Sequence, residues 1–204
     1  AAGHLTGTHD FMAFCGNRRM KKTTVRTIYQ IEIEETEHEI RMRFTGSGFL
    51  QNMVRILTGT LVEVGRGERT PEDMERAIWY KYMCNVSENQ SAAVLGIPFG
   101  AWSVSADANF IREKLMREVI AIAQKKGIDL SEKDMEKQAS VLKDVPPKNK
   151  PSTLQDIEAG RKTEVEMFGG TIIRMGRELG VPTPYNEMFY HGIKVLEQKN
   201  EGLF

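Results

Sequence analysis

IWYKYMCNVSEN, Ile78 to Asn89, is the stretch on which the reading of the chain turns. It predicts a helix on which Lys81, Asn85 and Asn89 recur every fourth residue and so share one face, one turn apart. Trp79, Tyr82, Met83 and Val86 supply the apolar remainder. A lysine followed at this spacing by two carboxamides suits the capture of a small polar acid. The stretch also lies at a change of character, with strands and helices before it and almost only helices after it.

Working back toward the beginning, Thr70-Pro71-Glu72-Asp73 predicts a helix start, with a Thr N-cap, Pro at the first position and a capping-box-like Asp73. Phe49 to Val64 predicts a helix, with Phe49, Leu50, Met53, Val54, Leu57 and Leu61 at helical spacing and Gly65-Arg66-Gly67 ending it. Thr24–Glu35 and His38–Phe44 read as two strands paired antiparallel across a Glu-Thr-Glu turn. In the second, Ile40, Met42 and Phe44 alternate with Glu39, Arg41 and Arg43. The opening HLTGTHDFMAFCG reads as a short helix or turn. Arg55 stands within an otherwise apolar helix and is either a snorkelling surface residue or a group facing a cleft, where it would need an acidic or phosphate partner. Asn17 to Arg26 holds five basic residues and no acid, which fits a phosphate-contacting loop or a solvated one.

Working forward, helices are expected over Ile78–Val94, Asp107–Lys126 and Ser131–Leu142. The second of these turns Leu115, Val119, Ile120 and Ile122 inward. After a Pro/Lys loop, a long helix is expected from Thr153 to about Gly180 with a Ser152/Gln155 capping box, then a last helix over Tyr185–Lys199.

Bulk composition narrows the classes. The 204 residues are 40% hydrophobic and 27% charged, which gives a globular chain of one large or two small domains. Formal net charge is zero, so overall charge selects no partner. Cys15 and Cys84 have no metal-like spacing and read as reduced thiols in a cytoplasmic protein. No signal peptide is recognisable, and no apolar run reaches the roughly 18 residues of a membrane span. No metal site is expected.

Two resemblances organise these readings. GTHDFMAF, VRTI, GFLQNMVRILTGTLVEVGRG and PEDM, in that order, resemble the C-terminal half of tRNA pseudouridine synthase A over residues 1–78. The resemblance implies half of an antiparallel sheet backed by helices, acting on uridine in the tRNA anticodon stem-loop. Arg55 would stand beside a catalytic aspartate and the His9-Asp10-Phe11 segment near the RNA-binding surface, joined by Arg18, Arg19, Lys21 and Lys22 of the basic loop. The family's GRTDAG-like aspartate motif does not occur in these residues, and Asp10 does not stand in for it.

WYKYMCNVSENQSAAVLGIPFG, LMREVIAIAQKKGIDLS, STLQDIEAGRKTEVEMFGGTI and LGVPTPYNEM resemble the C-terminal domain of ketopantoate reductase over residues 79–204. This implies an all-α domain of the 6-phosphogluconate dehydrogenase C-terminal type that handles ketopantoate and pantoate. Lys81 falls on the catalytic lysine, Asn85 and Asn89 on substrate-binding carboxamides, Ser152 on a substrate-contacting serine and Glu164 on the glutamate that orients the lysine. A lysine there would stabilise charge on the ketone oxygen and donate its proton. Without the resemblance, Lys81 would read as a solvated lysine, Ser152 as an N-cap and Glu164 as a surface acid beside Arg161 and Lys162. NADPH is implied as cofactor, but no GxGxxG fingerprint occurs: Thr70 stands where Gly65-Arg66-Gly67 needs its third glycine.

The expectation is therefore a composite of two partial enzymes, 1–78 and 79–204, joined near residues 77 to 79 and inactive in either reaction alone. A non-catalytic helical module, forming a homodimer, is the third reading.

Overall fold

The computed structural model describes residues 1–11, 14–15 and 24–204. The chain divides into two units, Ala1–Lys81 and Tyr82–Phe204.

In the first unit a short helix α1 (Ala2–Leu5) leads into strand β1 (Gly7–Asp10). Strands β2 (Val25–Glu35) and β3 (Ile40–Gly46) complete an antiparallel sheet of order β1-β2-β3. The β2–β3 hairpin forms as its alternation predicts, with Ile31 opposite Phe44 and Ile33 opposite Met42. It closes through Thr36, whose amide donates to Glu39 O at 2.9 Å. Met42 and Phe44 pack on the core, whereas Ile40, at the hairpin end, is exposed. β1 corrects the expectation of a helix or turn at Gly7–Asp10. Its partner is the far segment Val25–Ile28, so the pairing leaves no local period in four residues.

Helix α2 (Met53–Gly65) starts four residues later than expected, because Asn52 takes a left-handed φ of 59° that no α-helix continues through. Its buried stripe, Met53, Leu57 and Leu61, joins Leu5, Phe11, Ile28, Met74 and Ile78 in the unit's core. Arg55 projects from the opposite face and is exposed.

Helix α3 (Pro71–Leu95) is continuous through the expected join. Its start is the predicted reciprocal cap: Asp73 N donates to Thr70 Oγ1 at 3.1 Å and Thr70 N to Asp73 Oδ2 at 3.0 Å.

In the second unit α3 is followed by α4 (Ala101–Val104), α5 (Ala106–Lys125) and α6 (Glu132–Leu142). Leu115, Val119, Ile120 and Ile122 of α5 are buried, as their spacing predicts. The long helix expected from Thr153 to Gly180 is instead three pieces: α7 (Ser152–Glu158), a π-helical turn (Glu166–Gly170) and α8 (Thr171–Leu179). Gly160, with φ +65°, stops α7 in a Schellman arrangement in which Arg161 N donates to Asp156 O at 2.8 Å and Gly160 N to Ile157 O at 3.1 Å. Helix α9 (Pro184–Asn200) closes the unit. Among the described residues no helix is long and apolar enough to cross a membrane.

Candidate functional site

The site is built on α3. Asn89 is buried, and its carboxamide faces two elements at once. Oδ1 accepts from Ser152 Oγ at 3.0 Å and from Thr153 N at 3.2 Å, while Nδ2 donates to the Asn85 carbonyl at 3.0 Å. Asn89 thereby caps α7 from 63 residues away. The expected Ser152/Gln155 capping box does not form. Pro151 is the N-cap and has no side-chain oxygen, so Ser152 is the first helical residue and the cap oxygen comes from α3. Gln155 Nε2 donates to Lys150 O instead.

The next positions on α3 carry buried polar contacts that sequence reasoning overlooked. Glu88 Oε1 accepts from Gln138 Nε2 at 2.8 Å and stands 3.5 Å from Arg112 Nη1, with the two charged side chains 7% and 1% exposed. Arg112 Nη2 donates to Asn109 at 2.8 Å, and the guanidinium lies over the Trp102 ring. Gln90 Nε2 donates to Asn186 Oδ1, and Asn186 in turn donates to Glu118, whose carboxylate also caps α9 through the amides of Tyr185 and Asn186. Charged residues such as Glu88 and Arg112 read as surface positions in sequence. The local hint is that Glu88 stands one helical turn from Cys84 on one side and Ala92 on the other, both buried.

Glu164 is half-buried in the segment between α7 and the π-helical turn. That segment is tied at its start, where Glu197 Oε1 accepts from Thr163 N at 2.7 Å and Thr163 Oγ1 at 2.8 Å. Burial opposes ionisation of Glu197, but these bonds and the Lys194 ammonium at 3.0 Å outweigh it and hold the carboxyl below its ordinary range. Lys81, the last residue of the first unit, is half-buried on α3.

Of the expected acid-binding residues, the structure thus brings the side chains of Asn89 and Ser152 together, while Asn85 meets Asn89 through its backbone carbonyl. The expected RNA-binding residues His9, Asp10 and Arg55 are among those described. His9 Nε2 is 2.7 Å from Thr6 O, with its ring edge-on to Phe11, and the buried Asp10 accepts from Thr24 Oγ1 at 2.5 Å. Arg18, Arg19, Lys21 and Lys22 lie outside the described residues. Among the described residues no cluster of three or more His, Cys, Asp or Glu side chains is placed to hold a metal ion.

The family model for the ketopantoate reductase PanE/ApbA C terminal matches residues 73–197. The chain belongs to this family. A second family model, tRNA pseudouridine synthase, matches residues 1–92, so the two overlap along most of α3. tRNA pseudouridine synthase A of Exiguobacterium sibiricum is 42% identical over 99 residues, 48% of this chain and 37% of that protein. Among solved structures, the PanE/ApbA family ketopantoate reductase of Ralstonia eutropha JMP134 superposes with a TM-score of 0.57 at 25% identity, covering 62% of this chain and 42% of that one. D-mandelate dehydrogenase, in a ternary structure with NADH and anilino(oxo)acetate, shares the fold at 23% identity and TM-score 0.57, again covering 62% and 42%. The chain spans less than half the length of each of these proteins. As a member of the ketopantoate reductase family it carries the helical part. The described strands form one antiparallel sheet with no parallel strand–helix–strand unit, and Gly65–Gly67 closes α2 rather than opening a helix after a strand. The described residues therefore do not fit a dinucleotide.

Proposed function

We propose that residues 79–204 form the substrate-binding helical domain of a ketopantoate reductase, of the 6-phosphogluconate dehydrogenase C-terminal type, and bind a small 2-keto or 2-hydroxy acid such as ketopantoate or pantoate. The observation that carries this reading is the Asn89 clasp, which joins Asn89 to Ser152 across 63 residues, one helical turn from Asn85. Asn89 Nδ2 has a second N–H beyond the one given to Asn85, which can donate to a carboxylate or hydroxyl oxygen, and Ser152 Oγ retains lone pairs that can accept from a hydroxyl. By the resemblance, the Lys81 ammonium would supply the charge that a carboxylate or a polarised carbonyl oxygen needs, and Glu164 would orient that ammonium. Reduction would draw on NADPH held by a nucleotide domain outside these 204 residues.

Ligand-observed NMR with pantoate tests the reading. Lys81→Ala should weaken binding at least about tenfold, the cost of one charge-assisted hydrogen bond. An unchanged dissociation constant removes Lys81 from the site and the reading with it.

A second reading belongs to residues 1–78, supported by the match of residues 1–92 to the pseudouridine synthase family. They form half of a pseudouridine synthase-like fold that contacts tRNA through the basic loop. Replacing Arg18, Arg19, Lys21 and Lys22 by Gln should weaken tRNA binding and flatten its salt dependence. Equal affinity at low salt refutes it.

A further inference from the structure

The π-helical turn Glu166–Gly170 begins two residues after Glu164. Its widened spiral is visible in Gly170 N, which donates to Val165 O at 3.0 Å, five residues back. Such turns are rare and persist where surrounding contacts over-determine them. Here one contact comes from α3. The Tyr82 hydroxyl lies 3.1 Å from Met167 O and 3.0 Å from Phe168 O and donates between them. A second restraint is steric. Gly169 packs so closely on the Gln90 amide that a Cβ would collide with Oε1, and Gln90 cannot swing away without leaving Asn186. The third is the Glu197 tie to Thr163, on the other side of Glu164. Glu164 is therefore carried between two anchors, one at Thr163 and one at Met167–Phe168. The second anchor is made by Tyr82, the residue that directly follows Lys81.

We infer that Tyr82 is a positioning residue: its hydroxyl, shared by the Met167 and Phe168 carbonyls, holds the π-helical turn that sets where Glu164 sits, an assignment that rests on the acid-binding reading above. Tyr82 touches no substrate in this scheme and acts through the backbone that presents Glu164. A Phe at this position keeps the ring and its packing and removes only the tie.

The test compares Tyr82→Phe, Tyr190→Phe, Glu164→Gln and the Tyr82→Phe/Glu164→Gln double variant in the full chain, with pantoate affinity by ligand-observed NMR and amide exchange at Val165–Thr171. Tyr190 donates to the Glu166 carboxylate on the same turn without touching its carbonyls, which makes Tyr190→Phe the control. Exchange of α5 amides reports whether the domain stays folded. Tyr82→Phe should speed exchange at Val165–Thr171, leave α5 protected and weaken pantoate about fivefold. It should add nothing to Glu164→Gln, since both act on one group, and Tyr190→Phe should bind pantoate like the unsubstituted chain. Pantoate binding by Tyr82→Phe equal to that of the unsubstituted chain, or losses that add in the double variant, overturns the positioning role and leaves the acid-binding reading intact. If the unsubstituted chain binds no pantoate, the acid-binding reading falls and takes the positioning role with it.

Discussion

At the scale of single residues, the Asn89 carboxamide gives its oxygen to α7 and one N–H to its own helix, so its loss should show in stability as well as in binding. Asn89→Ala should cost about 1–2 kcal/mol in urea denaturation, the range for a lost helix cap, and Ser152→Ala less, because the Thr153 amide keeps its acceptor. Equal losses would mean that the oxygen serves Ser152 alone. Gly169→Ala should cost about 1–3 kcal/mol through overpacking against Gln90, read from the same curves. The spacing of Lys81, Asn85 and Asn89 was legible because four-residue recurrence survives in a linear sequence. The Glu88–Arg112 pair was not, because burial of a charge depends on what folds over it. The Ser152 capping box was illegible for a related reason: a Ser before a helix suggests a self-supplied cap, and only the tertiary fold reveals that Asn89 supplies one from α3.

At the scale of elements, local chemistry set the boundaries that sequence reasoning placed well. Ser131 and Asp134 exchange side-chain and backbone bonds at the start of α6, and Ser131→Ala should destabilise by about 1 kcal/mol. The hairpin and α5 follow their periods in the same way. The helix expected over Thr153–Gly180 breaks at Gly160, where a glycine can be either a tolerated helix residue or a stop. Its φ of +65° is a committed stop, so Gly160→Ala should destabilise, by about 1 kcal/mol, rather than extend α7. A gain in helicity by circular dichroism with no loss of stability would contradict this.

At the scale of the whole molecule, each unit has buried residues of its own, and the helical unit contains all of the Asn89, Gln90 and Glu118 contacts. A chain of residues 71–204 should keep its helical circular dichroism and a cooperative melt, and a featureless melt would show that the helical unit needs residues 1–70. Acid should loosen the helical unit through Glu197. Its carboxyl titrates lower in the fold than its ordinary value of 4.5, so its contribution to stability is full above that value and is lost as pH falls through the lower, folded one. Glu197→Gln should therefore flatten the fall in melting temperature as pH drops below the ordinary value of 4.5, and parallel curves for the two proteins would remove Glu197 as a cause.

The polar partners of α3 also carry a consequence for synthesis. Gln90 and Glu118 leave the ribosome long before Asn186, which joins them, and Asn89 precedes the helix it caps by more than sixty residues. Vectorial emergence therefore delivers these side chains before their protein partners, and burying them without those partners is costly. The helical unit should assemble only once α9 has been made. Until then α3 is nascent chain with its inner face open to water and to chaperones.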